Sequence, residues 1–319
     1  MIWYRCTHGV QDSRTTGSNM KLIYAHLDPK LFDFSDELKM SDFVSSPLPE
    51  YANLSMDQSE QLGYDVELIE NRIGSMDEAW FQAYNKEINE FYELCKRGFP
   101  SFYSDPFWLT TFIRLYVVYL YAKSKGVDQF IHMEYDNLVY RGPEYLENLP
   151  KGAYFTQLGP QCGSAGFVYV NGLDEYSRVI DRFKELLEKG ENVVRQFTQY
   201  DHLSEMVMID LIKQNTNDIQ YLPLFPKDDE NYKGMVFDGA SYGQYLGGIQ
   251  GEEKEGWHAS HHYVGQRIDQ GLISEIRMSS NMKPQLWYKS GEVELITPIF
   301  NLHIHSKKLE RFLINDVTV

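Results

Sequence analysis

Three polar side chains that could hold a metal ion alternate along one short segment that is otherwise rich in apolar residues. The segment FIHMEYDN spans residues 130–137 and contains His132, Glu134 and Asp136. In a β-strand these side chains would share one face, and burying unpaired charges there is costly. We therefore expect that face to meet solvent, a cation or a ligand at the carboxyl end of a sheet. A carboxylate there can hold Mg²⁺ or Mn²⁺, and a surface strand end with ordinary acidic residues is the alternative.

A second group of candidate ligands lies near the end of the sequence. In the run NLHIHSKK, His303 and His305 alternate with apolar residues, so in a strand the two imidazoles share a face. A neutral imidazole can complete the shell of Mn²⁺, and Lys307 is close enough in sequence to meet a phosphate on the same ion. A structural or merely exposed histidine pair is the alternative reading of this run.

The net charge limits the partners of any such site. Lys and Arg number 30 and Asp and Glu number 46, so the formal net charge is −16. This charge would repel a phosphate backbone or an anionic bilayer, which excludes nucleic acid and membrane surfaces as general partners. An anionic nucleotide-sugar could bind only where a metal ion and a few local cations reverse the field inside one cleft.

The cysteines and the apolar runs indicate the compartment. Cys6, Cys95 and Cys162 are far apart and show the spacing of neither a disulfide framework nor a zinc ribbon. The first residues lack the basic region and long apolar run of a signal peptide. The apolar run at 107–122 contains Arg114 and is shorter than the roughly 20 residues that span a bilayer. We therefore expect a cytoplasmic protein with no integral membrane segment.

Hydrophobic periodicity predicts the elements that must position these residues. Strands are predicted at 2–6, 21–25, 65–69, 129–140, 153–157, 166–170 and 300–305, with a hairpin pairing 286–288 with 292–295. Amphipathic or buried helices are predicted at 76–96, 107–125 and 174–189. The polar segment 35–61 is predicted to be irregular, and residues 225–276 to be loops folded over one end of the sheet.

Strands that alternate with helices predict an α/β fold. We expect a mixed, mostly parallel sheet flanked by helices, followed by a loop-rich C-terminal lobe. The sequence offers no internal repeat, low-complexity linker or clean boundary, so residues 1–319 are predicted to form a single domain.

The order of these motifs resembles that of GT-A glycosyltransferases, including those encoded by bacteria and large algal viruses. The resemblance covers roughly residues 100–310: the apolar helix with Arg114, FIHMEYDN, GSAGFVYVNG, HLSEMVMIDLI and NLHIHSKKL. It implies a Rossmann-like GT-A fold in which residues 1–140 form the nucleotide-binding half. Residues 141–319 would then hold the donor sugar and the acceptor.

The resemblance also implies a metal site. In such enzymes an acidic D-x-D motif binds the metal and the nucleotide, and Glu134-Tyr135-Asp136 looks like that motif with Glu in the first place. Asp136 is thereby implied as the direct ligand of Mn²⁺ or Mg²⁺. A late histidine supplies a further ligand in the family, and His303 and His305 both match it.

Residues that resemble the family's donor contacts are spread along the chain. They are Thr7, His8, Arg114, Glu134, Gly163, Ser164, Ala165 and Lys307. The run from Gly163 to Gly166 is interpreted as a turn where the sugar meets backbone, or as an ordinary turn before a strand. Arg114 is either a diphosphate ligand or a structural arginine paired with a core carboxylate. Thr7 and His8 either meet the nucleotide base or form a plain loop.

Two carboxylates are candidates for the general base of an inverting transfer, which takes the proton from the acceptor hydroxyl. A retaining transfer, which would need such groups placed differently, is the alternative that residue spacing leaves open. Glu205, in HLSEM, resembles the family's acidic residue on a helix that faces the sugar; Asp238 lies in VFDGAS. The alternatives are a first-turn acid favoured by the helix dipole for Glu205 and a turn residue before glycine for Asp238.

These observations predict a metal-dependent glycosyltransferase. The expected donor is a nucleotide diphosphate sugar, by default a UDP-sugar, and the expected acceptor is an oligosaccharide or a glycoprotein glycan. One rival is a metallohydrolase built from the histidines and acids, although no HExxH motif is present. The other is a non-catalytic carbohydrate-binding protein, which would use the aromatic residues of the C-terminal region: Tyr242, Tyr245, Trp257, Tyr263 and Trp287.

Overall fold

The computed structural model describes residues 20–27, 47–71, 75–101, 106–159, 162–198, 203–226, 230–249 and 263–314. The predicted strand at 2–6, the candidate base contacts Thr7 and His8, and Trp257 lie outside these ranges.

The described residues form eleven strands and nine α-helices. The strands are β1 (Lys21–His26), β2 (Asp65–Glu70), β3 (Gln129–Met133), β4 (Asn137–Val139), β5 (Gly152–Gly159), β6 (Cys162–Asn171), β7 (Ile219–Tyr221), β8 (Ile273–Met278), β9 (Pro284–Ser290), β10 (Val293–Pro298) and β11 (Asn301–His303). The helices are α1 (Glu50–Gln61), α2 (Glu78–Ala83), α3 (Asn85–Gly98), α4 (Pro106–Lys125), α5 (Leu173–Lys189), α6 (Glu191–Val194), α7 (Glu205–Asn215), α8 (Ser241–Gly247) and α9 (Tyr263–Asp269).

The main sheet has six strands in the order β2-β1-β3-β6-β5-β7. The pairs β1/β2, β1/β3 and β5/β7 are parallel, whereas β6 runs antiparallel to both of its neighbours. The sheet is therefore mixed and mostly parallel, as predicted. Ile23 of β1 packs into one apolar cluster and Leu22 into another, so both faces of the central strands are covered.

Helices α3, α4, α5 and α7 contribute to the core on one face of the sheet. Phe91 stacks on Tyr116 with ring centroids 4.2 Å apart, and Phe112 meets Phe183 edge-on at 4.9 Å. Helix α5 follows its predicted period and ends at Gly190, whose φ of +83° suits a residue without Cβ. The core thus holds α4, which carries Arg114, rigidly over the sheet.

The C-terminal region adds two small antiparallel sheets. One has the order β10-β9-β8 and includes the predicted hairpin, in which Ser290 pairs with Val293. The other pairs β11 with β4, so that the last strand lies against the chain that leaves the central strand β3. This second pairing brings the two candidate ligand runs together.

Outside the acidic turn (residues 134–136) and strand β6, the structure corrects three predictions of secondary structure. The segment predicted to be irregular contains α1, whose buried face is polar: Ser55 donates to the carbonyl of Asn137, and Gln58 donates to the carbonyl of Val139. Because those side chains bond to β4 instead of packing on apolar groups, the hydrophobic pattern did not reveal the helix. The predicted helix at 76–96 is broken into α2 and α3 at Tyr84, and α8, α9 and β8 occupy parts of 225–276.

Within the described ranges, no helix combines the length and apolar character needed to cross a bilayer.

Candidate metal centre

The acidic motif lies in a turn beyond the central strand. Strand β3 ends at Met133, and the chain turns through Glu134 and Asp136 before β4 begins at Asn137. The turn is closed by the Asn137 amide, which donates to the carbonyl of Glu134 at 3.0 Å. It is anchored to β6, because the Glu134 amide donates to the carbonyl of Gly166 at 2.9 Å. The two carboxylates therefore lie at the carboxyl end of β3, where α/β sheets bind ligands.

The expectation that a single strand carries His132 and both carboxylates is wrong. The strand ends before Glu134, and His132 is fully buried within the sheet, where its Nδ1 lies 3.0 Å from the carbonyl of Ile23. Burial, aided by the charge of Arg114, lowers the pKa of His132 to about 3. The ring is therefore neutral, and it lies within the sheet instead of in the turn that carries the carboxylates.

His303 completes a cluster of three ligand-type side chains. Pairing of β11 with β4 sets His303 opposite Asn137, and the Ile304 amide extends the pairing by donating to the carbonyl of Asp136 at 2.7 Å. His303 Nε2 then lies 3.1 Å from Glu134 Oε2 and 3.1 Å from Asp136 Oδ1. One ligand atom from each of the three lies within 4.8 Å of the others, a separation that a single ion can bridge.

Two permanently charged side chains pair with the same carboxylates. Arg114 of α4 bonds to Glu134, and Lys307 bonds to Asp136. Arg114 and Asp136 are nearly enclosed, with side-chain exposures of 12% and 7%, whereas Lys307 is 31% exposed. The site is therefore a buried group of acids ringed by cations within a strongly acidic protein.

The electrostatics keep both carboxylates ionised. Burial alone would raise the pKa of Glu134, but the charge of Arg114 and the hydrogen bond from His303 outweigh it and lower that pKa. At Asp136, burial alone would also raise the pKa. The charges of His303 and Lys307 outweigh it and hold that pKa well below the usual range. Burial alone would lower the pKa of His303. The charge of Asp136 outweighs this effect and raises the pKa of the imidazole to about 10.

This donor set fits a divalent cation. Two carboxylate oxygens and an imidazole nitrogen converge, and both carboxylates are deprotonated, as metal ligands must be. His303 Nε2 is the ring nitrogen that faces both carboxylates, so an ion bound there would displace a proton from it. Gly166 forms the floor beneath the cluster, since a Cβ there would lie 2.7 Å from His303 Nδ1 and 3.3 Å from Glu134 Oε2.

His305 lies beside the cluster but is not part of it. Strand β11 ends at His303, so the two imidazoles do not share a strand face as predicted; their rings meet edge-on with centroids 4.5 Å apart. The amide of Gln244 in α8 donates to His305 Nδ1 at 2.6 Å. Burial, together with the charge of His303, lowers the pKa of His305 to about 3. The geometry therefore distinguishes two histidines that the sequence left equivalent.

Glu205 lies close enough to the cluster for its charge to interact with those of Glu134 and Arg114. It is the first residue of α7, is 6% exposed, and accepts a hydrogen bond at 3.0 Å from Thr111 Oγ1, one helical turn before Arg114 on α4. Burial raises its pKa to about 7, with a contribution from the charge of Glu134 that Arg114 partly offsets. Glu205 is thus a carboxyl group that can gain or lose a proton near neutral pH.

Asp238 has its carboxylate oxygens fully engaged by the backbone. Its Oδ1 accepts from the amides of Ala240 and Tyr242 at 2.9 Å each, and its Oδ2 accepts from Gly243 at 2.8 Å and from His303 at 2.9 Å. The side chain is fully buried, and burial leaves its pKa raised in spite of these bonds. Asp238 therefore joins the start of α8 to the backbone of His303.

Two buried asparagines, which the sequence analysis missed, connect Asp238 to the acidic turn. Asn301 accepts from the Asp238 amide at 3.0 Å and donates to the Asp238 carbonyl at 2.8 Å and to Asn137 Oδ1 at 3.1 Å. Asn137 in turn donates to the carbonyl of Gly166 at 3.1 Å. The signal in the sequence was an asparagine at the start of each of two short segments, each followed by an apolar residue.

The run from Gly163 to Gly166 lies inside β6 and is not the turn that was predicted. Its pairing with β5 shifts register between Phe155 and Thr156, opposite this run, which bends the strand locally. Ser164 and Ala165 are buried, at 4% and 2% exposure. The contact between this run and the acidic cluster is made by Gly166, which lies just beyond the three residues predicted as donor contacts.

Searches for similar proteins found likeness only among solved structures. No protein-family model and no curated protein matches this chain. Mouse xyloside xylosyltransferase 1 is 10% identical over 64% of this chain and 85% of its own, with a TM-score of 0.42. The galactosyltransferase LgtC is 13% identical over 67% and 82%, with a TM-score of 0.37. A glycosyltransferase involved in glycosylation of the major capsid of PBCV-1 is 11% identical over 51% and 65%, with a TM-score of 0.27.

All three are glycosyltransferases, in keeping with the resemblance in the sequence. Because each TM-score is below 0.5, the similarity decides neither the fold nor the activity of this chain. The assignment of both rests on its own residues.

Proposed function

We propose that this protein is a metal-dependent glycosyltransferase that moves a sugar from a nucleotide diphosphate sugar, by default a UDP-sugar, to a hydroxyl of a glycan acceptor. The observation that carries the proposal is the convergence of Glu134, Asp136 and His303 at the carboxyl end of β3, with Lys307 beside them. An overall acidic protein can bind a diphosphate only where its field is locally reversed, and this cluster is suited to do so.

Each polar group of the site has a part in the proposal. Asp136 and His303 hold the ion, and Glu134 completes the shell while keeping Arg114 in place. A bound Mn²⁺ or Mg²⁺ would stabilise the negative charge of the departing diphosphate. Lys307 lies in the turn after β11, and its long, flexible side chain carries the ammonium group that binds a phosphate oxygen. His305 supports the His303 ring from its edge.

Glu205 is the better of the two candidate bases. Its pKa of about 7 suits a group that takes up a proton near neutral pH, and its carboxylate keeps lone pairs free beyond the bond from Thr111. In the proposed inverting step the acceptor oxygen bonds to the anomeric carbon while the bond from that carbon to the phosphate oxygen breaks. The diphosphate leaves with the electron pair, and Glu205 takes the hydroxyl proton.

Asp238 is better suited to positioning than to proton transfer. Four backbone amides occupy its oxygens, and it is fully buried, so an acceptor hydroxyl would have to displace a bond that holds His303 or α8. We therefore assign Asp238, Asn301 and Asn137 to a buried network that fixes the distance between His303 and the acidic turn.

A thermal shift panel tests the proposed function. UDP-, GDP- and dTDP-sugars are each added with and without Mn²⁺, and uridine with Mn²⁺ serves as the control that lacks a diphosphate. We expect the melting temperature to rise most when Mn²⁺ and one of the diphosphates are present together, because ligands that bind the native state stabilise it. A sugar-induced shift that needs neither nucleotide nor metal would favour a carbohydrate-binding protein and contradict the proposal.

A further inference from the structure

The side chain of Lys307 occupies one oxygen of the carboxylate that is proposed to bind the ion. Asp136 Oδ1 faces His303 Nε2 at 3.1 Å, and Asp136 Oδ2 is ion-paired with Lys307 Nζ. Both oxygens of Asp136 are therefore engaged when no ion is present. A divalent cation that binds Asp136 has to compete with a positive charge already in contact with it.

The charges around the cluster make this competition strong. Each carboxylate already has its own permanently charged partner, Arg114 for Glu134 and Lys307 for Asp136. His303 faces the same two carboxylates, and a divalent ion that displaces its proton would still add one net positive charge to the group. Like charges a few ångström apart repel strongly where water is scarce, so one cation must move or an anion must join.

Lys307 is the cation that can move. Arg114 is in the middle of α4, is 12% exposed, and interacts with Glu205 as well as Glu134, so it is the more firmly held of the two cations. Lys307 is 31% exposed and lies in a turn after β11, where its amide donates to the carbonyl of Ile304 at 3.0 Å. Its Nζ also lies 5.9 Å from the centre of the Tyr51 ring.

The backbone of Lys307 adopts a conformation that is unfavourable for a residue with a side chain. Its φ is +65°, in the left-handed region, which costs a residue with a Cβ roughly 1 kcal/mol. A glycine would relieve that strain, so the position of the lysine in this turn has a local energetic cost. Lys233, Ala240 and Met282 also have positive φ, so this strain supports a role for Lys307 only together with its ion pair to Asp136.

We propose that Lys307 is an exchangeable counter-ion, which neutralises Asp136 in the ion-free protein and moves to the donor diphosphate when a divalent ion takes its place. This inference rests on the proposed function. Metal and diphosphate then bind cooperatively, because the metal releases the lysine that the diphosphate needs and the diphosphate gives the released lysine a partner. By linkage each ligand raises the affinity for the other by the same factor.

Direct binding measurements on Lys307→Met test the exchange. Titration calorimetry and the electron paramagnetic resonance signal of free Mn²⁺ give the affinity for Mn²⁺ alone, and calorimetry with saturating Mn²⁺ gives the affinity for UDP. With its competitor removed, the variant should bind Mn²⁺ alone about three- to fivefold more tightly than wild type, the upper part of the range expected for a partly exposed ion pair. It should bind UDP in the presence of Mn²⁺ at least tenfold more weakly, since a charged phosphate contact is lost.

Two control variants separate the exchange from simple loss of a positive charge. Lys308 is the exposed neighbour of Lys307, so Lys308→Met removes the same charge one residue away and should leave both affinities within twofold of wild type. Lys307→Arg keeps the cation and should preserve weak binding of Mn²⁺ alone. Thermal melts add an independent readout, because Mn²⁺ alone should stabilise Lys307→Met more than it stabilises wild type.

The outcomes distinguish the inference from the function on which it rests. If wild type binds Mn²⁺ and UDP together but Lys307→Met binds Mn²⁺ alone no more tightly than wild type, the exchange is wrong and the proposed function stands. If wild type binds neither ligand, the proposed function is wrong and the exchange is wrong with it. Tighter binding of Mn²⁺ combined with weaker binding of UDP in the variant supports both.

Discussion

Relative to wild type, Glu205→Gln should become progressively more stable as the pH rises, and it should lose transfer activity. Glutamine has nearly the shape of glutamate and can still accept the hydrogen bond from Thr111, but it cannot ionise. The carboxyl group of Glu205 is buried, and its pKa is raised from 4.5 to about 7 in the folded protein. Ionising it in place therefore works against the native state.

The magnitude follows from the shift in this pKa. Between pH 4.5 and 7 folded wild type keeps the proton of Glu205, whereas the unfolded chain loses it. Because the native state then binds more protons, the contribution of Glu205 to the free energy of unfolding is fully present below pH 4.5 and is lost as the pH rises to 7. At 1.36 kcal/mol per pKa unit, the loss is about 3 kcal/mol.

Urea unfolding of wild type and Glu205→Gln at a series of pH values measures this loss. The free energy of unfolding of the variant minus that of wild type should grow by about 3 kcal/mol between pH 4.5 and pH 8, because groups common to both proteins cancel. Glu188→Gln on the exposed face of α5 is the matched control, and its difference from wild type should stay within about 0.5 kcal/mol throughout.

Activity measurements on the same variant complete this test. Glu205→Gln should bind UDP and Mn²⁺ as wild type does but lose transfer, since it cannot take the acceptor proton. A stability difference that does not change with pH would refute the burial argument for Glu205. Normal turnover by the variant would refute its role as the base.

Two further variants test the scaffold of the site. Asp238→Ala leaves four buried amides without their acceptor and should cost about 3–5 kcal/mol in urea unfolding, with Asp238→Asn losing less; a stable but inactive Asp238→Ala would instead indicate a role in catalysis. Gly166→Ala places a Cβ 2.7 Å from the ring of His303 and should weaken Mn²⁺ binding at least tenfold in calorimetry. Gly159→Ala, whose Cβ would lie 3.5 Å from Tyr263, is its control and should bind Mn²⁺ normally; equal affinities of the two variants would contradict the assigned floor of the site.

The parts of the fold that the sequence predicted correctly are those in which apolar periodicity and burial coincide. Strands β1 and β2, helices α4 and α5 and the β9–β10 hairpin all lie where the pattern placed them. Helix α1 was missed because its buried residues Ser55, Gln58 and Ser59 are polar and satisfied by hydrogen bonds. The pattern of apolar residues cannot reveal a helix whose buried side chains form hydrogen bonds with backbone carbonyls.

The candidate site shows the same division. The residue types predicted Glu134 and Asp136 as a pair, but on a strand face that the structure replaces with a turn. The choice of His303 over His305 depends on where β11 ends, which pairing with β4 decides and single-sequence periodicity does not. The network through Asn137 and Asn301 depends on a contact between residues 164 positions apart, so no local pattern could predict it.

Calorimetric titration of UDP into wild type and Asp136→Ala, each with and without Mn²⁺, tests the central claim most directly. The account predicts that wild type binds UDP tightly only with Mn²⁺, and that Asp136→Ala, while still folded by circular dichroism, shows no gain in UDP affinity when Mn²⁺ is added. If the folded variant gains as much affinity from Mn²⁺ as wild type does, the carboxylate of Asp136 does not hold the ion and the account is contradicted.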